Sequence, residues 1–432
     1  MITRIEATRY RCFDKLDVEL GEFRVLVGAN GSGKTTLLDV PLLLADLLRE
    51  RTISEAFTEQ RDGRAPRATA LRELIFQGLG DNFILAVEAA LPERVTSALI
   101  ESLSERGRDR KDQWPTHIRY ELRLQLFNET ELQVQNEYLF VFPEPHAPTR
   151  AMADASAPRM YGEFNANRNW KFILRREYGG ETEYTPETAR RPRSTKSMTS
   201  PQQLALPRVQ FESQSDFPAA RWLYDMLVED SVFFNPDWDA LRVASPPGLS
   251  KTQVLGSGKN APWLALELQR TDADRFALWK NHVHLALPQV SDISVYERED
   301  DHHAYFRVRY GDSYNVPSSG LSDGTLRILV LTLLAYVAKP PRFLVTEEPE
   351  NGIHPKAIEA VIQGLASIYD SQVIVSSHSP VVLARSELPH ILAARIRADG
   401  ACEVIPGPQH PRLVDWKGEV SLSTLFAAGV LG

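Results

Sequence analysis

The chain has 432 residues, 43% of them hydrophobic and 25% charged, which is typical of a globular protein with room for two or three domains. Its net charge of −8 argues against a surface that binds nucleic acid everywhere, although a local basic groove is compatible with it. The two cysteines, Cys12 and Cys402, are too few for a disulfide framework or a four-ligand zinc site. Because the start carries no signal-peptide pattern and no apolar stretch is long enough to span a bilayer, we expect a soluble, cytoplasmic protein that does not enter a membrane.

The first part of the chain, residues 1–91, is predicted to combine short strands with a glycine-rich loop and a helix. Apolar runs and short alternations of apolar and polar residues predict antiparallel strands at 2–7, 16–20 and 23–27, a helix at 35–50 and a strand at 83–89. The glycine-rich loop, residues 28–35, lies directly between the third strand and the helix. This order of strand, loop and helix is the context in which phosphate-binding loops occur.

The loop also has the residue spacing that phosphate binding requires. Its glycines let successive backbone N–H groups turn toward a phosphate, and the positive end of the next helix points to the same place. We expect Lys34 to reach the outer phosphates of a nucleotide and Thr35 to bind Mg²⁺. The residues predicted to bind ATP in this segment are Asn30, Gly31, Ser32, Gly33, Lys34, Thr35 and Thr36.

The middle of the chain, residues 92–316, is predicted to be an α+β insertion. Its predicted elements are strands at 117–126 and 132–142, helices at 219–230 and about 263–287, and a hairpin formed by 293–295 and 305–310. Residues 188–208 contain five basic residues and no acidic one, which is typical of a flexible basic loop: Arg190, Arg191, Arg193, Lys196 and Arg208.

DNA is a candidate partner for this middle region. The basic stretches 168–176 and 190–208 could contact phosphates, and Trp170 and Phe172 could stack on bases. The alternative is a solvated loop without a ligand.

After residue 316 the pattern returns to alternating helices and strands. The predicted elements are a helix at 326–338, a strand at 343–346, a helix at 355–369 and a strand at 373–375. Strands that alternate with helices predict a largely parallel, doubly wound sheet. We therefore expect residues 1–91 and 317–432 to form one nucleotide-binding domain around the insertion.

Two adjacent acids, Glu347 and Glu348, end the predicted strand 343–346. Hydrolysis of a nucleotide requires one group that holds Mg²⁺ and another that orients and deprotonates the attacking water. We assign the metal to Glu347 and the water to Glu348. His378 follows the strand 373–375, at the edge of the sheet where ligands bind, and we interpret it as a sensor of the γ-phosphate.

Ser322 stands at the predicted start of the apolar helix that follows residue 320, where a serine caps the first turn. A glycine and a helix start at this place can also bind a γ-phosphate. Because the loop around Lys34 already fills that role within the same chain, a second phosphate-binding element implies a second subunit.

Five segments of the chain resemble, in order, the Walker A, signature, Walker B, D-loop and switch-histidine motifs of ABC-type ATPases. They are Gly28–Thr35, Leu321–Thr325, Phe343–Glu348, Pro349–Pro355 and Ser377–Ser379. The sequences Leu-Ser-Asp-Gly-Thr and Glu-Glu-Pro-Glu-Asn-Gly-Ile-His-Pro are most similar to the RecF, SMC and OLD branch, which occurs in bacterial DNA repair and antiphage modules. The resemblance implies an α/β fold, the ABC-ATPase head, in which a doubly wound P-loop sheet is joined by an antiparallel β-lobe and carries the inserted α+β region.

The resemblance further implies a homodimer, or a higher even oligomer, with ATP and Mg²⁺ bound between subunits. Lys34 and Glu348 of one subunit would meet the signature residues of the other subunit, which are Ser322, Asp323 and Gly324. ATP hydrolysis to ADP and phosphate is the expected activity.

Two further site residues are given only by the resemblance. Gln77 resembles the Q-loop glutamine that contacts Mg²⁺, and Arg11 resembles a basic residue that some of these ATPases bring to the phosphates. The sequence departs from the usual pattern at Glu347 and His354, where aspartate is common, and at Asp323, where glycine is common. We therefore expect slow hydrolysis.

Three functions follow from this resemblance. The favoured one is the ATPase subunit of an antiphage defence module, which regulates a separate effector protein, a nuclease or a toxin. The alternative is a RecF-like ATPase that binds DNA in repair, and a transporter ATPase is the third. We expect no nuclease domain of the OLD type, because the segment after His378 is too short for one.

Overall fold

The computed structural model describes residues 1–60, 65–148, 160–163, 167–189, 192–211, 216–311, 314–413 and 422–427. The predicted loop residues Arg190 and Arg191 lie outside the described residues. The chain forms two compact units: the first comprises residues 1–21, 31–231 and 396–404, and the second comprises 22–30, 232–395 and 405–432. The predicted division of the chain at residues 92 and 317 stays a prediction.

The strands are β1 (Ile2–Tyr10), β2 (Phe13–Glu19), β3 (Phe23–Gly28), β4 (Asn82–Ala90), β5 (His117–Phe127), β6 (Glu131–Phe142), β7 (Lys171–Arg176), β8 (Thr182–Tyr184), β9 (Thr195–Ser197), β10 (Ser231–Phe233), β11 (Val290–Glu297), β12 (Ala304–Tyr310), β13 (Tyr314–Pro317), β14 (Phe343–Glu347), β15 (Gln372–Ser377), β16 (Ile391–Ile396) and β17 (Cys402–Pro406). The helices are α1 (Lys34–Arg49), α2 (Glu55–Thr58), α3 (Glu93–Ser102), α4 (Glu105–Arg108), α5 (Pro218–Val228), α6 (Ala261–Thr271), α7 (Ala273–Ala286), α8 (Asp323–Leu333), α9 (Pro355–Ala366), α10 (Pro380–Ala384) and α11 (Leu422–Ala427). Among these described helices, none combines the length and the apolar character needed to cross a membrane.

The first unit is built on an eight-stranded sheet in the order β2-β1-β4-β5-β6-β7-β8-β9. Neighbouring strands pair antiparallel, and Ile5 of β1 faces Val18 on one side and Val87 on the other. Directly paired residues share one face of a sheet, so these three apolar side chains form a continuous buried row. This sheet is the antiparallel β-lobe that the sequence predicts, and it continues through β5 to β9.

The second unit contains a six-stranded sheet in the order β10-β14-β15-β3-β16-β17. Its central strands β14, β15, β3 and β16 pair in parallel. Every residue of β15 is buried, as expected for a strand covered on both faces. The parallel pairing confirms the predicted doubly wound sheet. The prediction that the strand at 23–27 is antiparallel is wrong, because β3 lies between β15 and β16 and pairs in parallel with both. The separate antiparallel sheet β11-β12-β13 includes the predicted hairpin.

Helices α7, α8 and α9 pack on one another in the second unit. At their contact Trp279 is fully buried, and its indole N–H donates to the Thr332 hydroxyl at 3.1 Å. The prediction of a single helix at 263–287 is wrong, because α6 and α7 are separated at Asp272. The Asp272 carboxylate accepts a hydrogen bond from Arg275 N at 2.9 Å and so caps a new helix.

The prediction that Trp170 stacks on bases is also wrong. Trp170 is buried, its ring stacks on Phe140 with centroids 4.9 Å apart, and its N–H donates to His146 O at 2.7 Å. Phe172 is half-buried and is covered by the Arg175 guanidinium, 3.8 Å from its ring centroid. These aromatic side chains therefore belong to the core of the first unit.

A cluster of ion pairs is buried in the eight-stranded sheet around Arg119. The Arg119 side chain is 2% exposed, and its three nitrogens contact Glu121 at 2.5 Å, Glu88 at 2.6 Å and Glu6 at 2.5 Å. Arg4 adds a second guanidinium, 2.6 Å from Glu6. Each charge is stable in the interior only because an opposite charge and hydrogen bonds compensate it.

We expect Arg119→Met to lower the free energy of unfolding by about 3–5 kcal/mol, because it leaves buried carboxylates without their counter-charge. Urea denaturation followed by circular dichroism measures this change. The control is Arg221→Met, which removes an exposed pair with Asp225 and should leave the midpoint unchanged. Equal midpoints for both variants would show that the Arg119 cluster does not stabilise the fold.

Glu187 is buried beneath the start of α5, where its carboxyl oxygens accept hydrogen bonds from Ala219 N at 2.6 Å and Ala220 N at 2.8 Å. Burial raises the pKa of this carboxyl from 4.5 to about 7, although the two backbone hydrogen bonds oppose the change. The folded chain therefore binds this proton up to about pH 7, whereas the unfolded chain releases it near pH 4.5. The resulting stabilisation is complete below pH 4.5 and is lost as the pH rises through about 7.

Glu187→Gln should remove this pH dependence, since an amide does not titrate. We expect the free energy of unfolding of the wild type, relative to that of Glu187→Gln, to fall by about 2–3 kcal/mol between pH 5 and pH 8. Denaturant titrations across this range measure the difference, with the exposed Glu181→Gln as the matched control. A constant difference between wild type and Glu187→Gln would contradict the raised pKa.

Candidate nucleotide-binding site

Three predicted site segments follow three parallel strands of the second unit. Strand β15 pairs with β14 and with β3, placing Ser376 opposite Glu347 and Ser377 opposite Val27. The carboxyl ends of parallel strands meet at one edge of a sheet, which is where ligands bind in open α/β sheets. The start of the phosphate loop, the acidic pair after β14 and His378 after β15 therefore lie along the same edge.

The phosphate loop has the backbone conformation that its glycines allow. Gly31 has φ 80° and Gly33 has φ 87°, in the left-handed region that favours glycine. Gly33 is the N-cap of α1, so Lys34 and Thr35 stand in the first turn of the helix. The first turn of a helix directs its backbone N–H groups and the positive end of the helix dipole outward, which suits an anion.

The two glycines are needed for different reasons. A Cβ atom at Gly33 would lie 2.8 Å from Phe13 Cζ and 2.9 Å from Cys12 Sγ, whereas a Cβ at Gly31 would meet nothing within 4 Å. Gly33 is thus required by its conformation and by close packing, but Gly31 by conformation alone. The open side of Gly31 leaves room for a ligand.

The hydrogen bonding of the Ser32 hydroxyl indicates whether a phosphate would fit this loop. Its side chain is fully buried, yet the hydroxyl has no hydrogen-bond partner among the described residues. A buried hydroxyl without a partner is unfavourable by about 1–3 kcal/mol. Together with the glycine conformations and the adjacent Lys34, this hydroxyl fits a loop that receives phosphate oxygens.

Glu348 and His378 lie next to each other in the second unit. The Glu348 carboxylate Oε1 is 3.4 Å from His378 Nε2, and its other oxygen accepts a hydrogen bond from the Asn351 side-chain amide. Glu348 has φ 45°, a left-handed conformation that is unfavourable for glutamate, and its N–H donates to Ser376 O at 2.9 Å. Such strained residues cluster at functional sites.

Sequence reasoning missed Glu350, which is buried two residues after Glu348. The Ser377 hydroxyl donates to Glu350 Oε1 at 2.5 Å, and burial raises the pKa of the Glu350 carboxyl. This bond ties the segment after β14 to the end of β15, immediately before His378. The signal was present in the sequence as a third acid in Glu-Glu-Pro-Glu.

Ser322 caps helix α8, which confirms that prediction. Its hydroxyl accepts a hydrogen bond from Thr325 N at 3.2 Å. The Asp323 carboxylate pairs with Arg242, whose guanidinium also donates to Leu321 O at 2.6 Å. Arg242 belongs to none of the sequence motifs, so its pairing with Asp323 was not predicted.

Gly324 lies against the turn that follows Pro349. A Cβ at Gly324 would be 2.9 Å from Gly352 O, so only glycine allows the signature helix to approach this turn. The Arg327 side chain covers Gly352 on the same turn and lies over the Trp238 ring, with its Cζ atom 4.4 Å from the ring centroid. The signature helix and the D-loop-like turn are thus packed directly on each other.

Arg11 and Gln77 make contacts within the first unit. The Arg11 guanidinium donates to Arg67 O, and Gln77 Nε2 donates to Asp399 O at 3.1 Å. Both residues have φ 51°, so their backbones are fixed in an unusual conformation. Their contacts to phosphate and Mg²⁺ stay predictions.

A parallel sheet with a glycine-rich loop between β3 and α1, together with an antiparallel sheet in the same chain, is the fold of ABC-type ATPase heads. The fold is similar to an SMC head bound to the C-winged helix domain of ScpA, with a TM-score of 0.53, 13% identity, and coverage of 94% of this chain and 97% of that chain. A second similar structure is the Smc head with an extended coiled coil, bound to the C-terminal domain of ScpA derived from Pyrococcus furiosus (TM-score 0.49, 13% identity, coverage 94% and 95%).

Residues 115–384 match the family described as "AAA domain, putative AbiEii toxin, Type IV TA system". Because this match spans more than half of the chain, the protein belongs to that family. The matched region contains the signature, the acidic pair and His378, and begins after the phosphate loop. A comparison with curated proteins finds no match.

We expect Gly33→Ala to lower the free energy of unfolding by about 1–3 kcal/mol more than Gly31→Ala, because only the first change adds overpacking against Phe13 and Cys12. Both substitutions share the strain of a positive φ, so their difference isolates the close packing. Thermal or urea unfolding of the two variants measures it. Equal destabilisation would contradict the close contact at Gly33.

Proposed function

We propose that the protein binds and hydrolyses ATP at the carboxyl edge of its parallel sheet. The observation that carries this proposal is the pairing of Glu348 with His378, beside the strand that leads into the phosphate loop. Lys34 and the N–H groups of the first turn of α1 bind the phosphates of the substrate. Asn30, Thr36 and Arg11 complete the proposed binding residues.

Thr35, Glu347 and Gln77 would hold Mg²⁺. Hydroxyl, carboxylate and amide oxygens are the donors that this hard cation prefers. When bound, Mg²⁺ neutralises charge on the phosphate oxygens during transfer. Glu347 stands at the end of β14 and is half-buried, so its position is fixed by the sheet while part of its carboxylate stays accessible.

Glu348 is the proposed general base. Its strained backbone, the Asn351 amide and His378 together hold the carboxylate in one orientation. In that orientation the carboxylate aligns a water molecule and accepts its proton. His378, 31% exposed, keeps contact with solvent, and we assign to it the donation of a hydrogen bond to a phosphate oxygen.

A dimer in which ATP lies between two subunits is the second part of the proposal. Ser322 and the start of α8 present backbone N–H groups of the kind that bind phosphate. Asp323 would repel an approaching phosphate, but its pairing with Arg242 offsets this charge. Since ATP contacts Ser322 only in the closed pair of subunits, ATP favours that state and hydrolysis removes the preference.

The proposed biological role is regulation of an effector protein, a nuclease or toxin, in an antiphage defence module of the cytoplasm. The family description supports this choice, because it refers to a toxin and to a type IV toxin–antitoxin system. The closed and open subunit pairs would present different surfaces to the effector, which makes the ATPase a switch.

Glu348→Gln should lower kcat for ATP at least about 100-fold, the effect of removing a positioned general base. ATP affinity should be retained, and the variant should accumulate as an ATP-bound dimer, measured by light scattering after size exclusion. The matched control is Glu387→Gln, an exposed glutamate in the same unit, which should turn over normally. Unchanged turnover of Glu348→Gln would overturn its assignment as the base.

The biological role is tested by purifying the Glu348→Gln protein with ATP and Mg²⁺ from cells that carry its native gene neighbourhood. We expect a stoichiometric protein partner that is lost in Lys34→Ala, because this change removes the phosphate-binding charge. DNA alone in the eluate would favour the RecF-like repair function, and a membrane permease would favour a transporter ATPase. Either result would contradict the effector role.

A further inference from the structure

The two cysteines of the chain are distant in sequence but lie side by side in the structure, in contact with the phosphate loop. Cys12 lies in the turn between β1 and β2, and Cys402 is the first residue of β17. Cys402 N donates to Cys12 O at 2.8 Å. The Cys12 and Cys402 side chains are also within hydrogen-bonding distance of each other, so the two sulfurs are already neighbours, as a disulfide requires.

Both side chains also touch the loop itself. A Cβ at Gly33 would lie 2.9 Å from Cys12 Sγ and 3.2 Å from Cys402 Cβ. The Cys402 thiol donates to Gly31 O at 3.5 Å. The loop therefore packs on the side chains of Cys12 and Cys402. A movement or a chemical modification of either sulfur would alter the contacts of Gly31 and Gly33.

We propose that Cys12 and Cys402 form a reversible disulfide that weakens nucleotide binding by the phosphate loop. This inference rests on the proposed ATP-binding function. Both cysteines are free thiols in the structure, and we assign nucleotide binding to this reduced form. In the oxidised chain Cys402 has no S–H to donate to Gly31 O, and the two sulfurs move to bonding distance, which disturbs the packing under Gly33.

The oxidant is a low-molecular-weight disulfide such as oxidised glutathione. The half-buried Cys12, as thiolate, attacks one sulfur of the oxidant, forming a mixed disulfide and releasing one thiolate of glutathione. Cys402 then loses its proton and attacks Cys12 Sγ, which forms the protein disulfide and releases the second glutathione. The protein loses two electrons and two protons, and one disulfide becomes two thiols.

The environments of the cysteines fit this order of attack. Cys402 is buried, and burial together with the neighbouring Cys12 thiol raises the pKa of the Cys402 thiol to about 12. A thiol that stays protonated attacks slowly, so Cys12 reacts first and Cys402 resolves the mixed disulfide.

The full chain is incubated with oxidised or reduced glutathione, and remaining thiols are alkylated under denaturing conditions. We expect peptide mass spectrometry to find a Cys12–Cys402 crosslink only after oxidation. ATP affinity should fall by about tenfold in the oxidised protein, the effect of one disturbed loop contact, and should return with dithiothreitol. Cys12→Ser and Cys402→Ser should form no crosslink and should bind ATP equally under both conditions.

Two alkylated or separately modified cysteines without a crosslink would overturn the proposal, as would a crosslinked protein with unchanged ATP affinity. Failure of the reduced wild type to bind ATP would instead overturn the proposed function. The crosslink is read by mass alone, so the two failures are distinguishable.

Discussion

The site depends on the parallel pairing of β14, β15 and β3. A one-residue change in this register would turn the side chains of a strand to the opposite face and would separate Glu347 from Ser376. The register is fixed because β15 is buried along its whole length and both neighbours bury apolar residues against the same core. Burial of short apolar strands thus sets the positions of the polar residues at their ends.

Backbone conformations at Glu348, after β14, and at Gly33, before α1, are unfavourable in isolation and persist because the surrounding structure holds them. Glu348 adopts a positive φ, and its N–H bonds to the end of β15. Gly33 adopts a similar conformation where no side chain would fit. Strain at these positions is stabilised by packing elsewhere, which keeps the residues in place before any substrate binds.

Local patterns predicted much of this structure. The phosphate loop, the buried strands β14 and β15 and the cap at Ser322 each depend on a few consecutive residues, so the sequence revealed them. The pairing of Arg242 with Asp323 joins residues from distant segments, and no local spacing encodes it. Likewise, Trp170 in a basic stretch looked like a surface residue, but the fold places it against Phe140.

The turn after Glu348 connects the parts of the site within the second unit. Glu350 bonds to Ser377, next to His378, and Gly352 packs against Gly324 at the start of the signature helix. Glu348 itself contacts Asn351 of the same turn. A displacement of the turn would therefore alter the proposed base and the signature helix together, because close packing leaves neither free to move alone. The acidic pair and the signature helix therefore both depend on the position of this one turn. The proposed coupling between hydrolysis and subunit closure requires such a shared element.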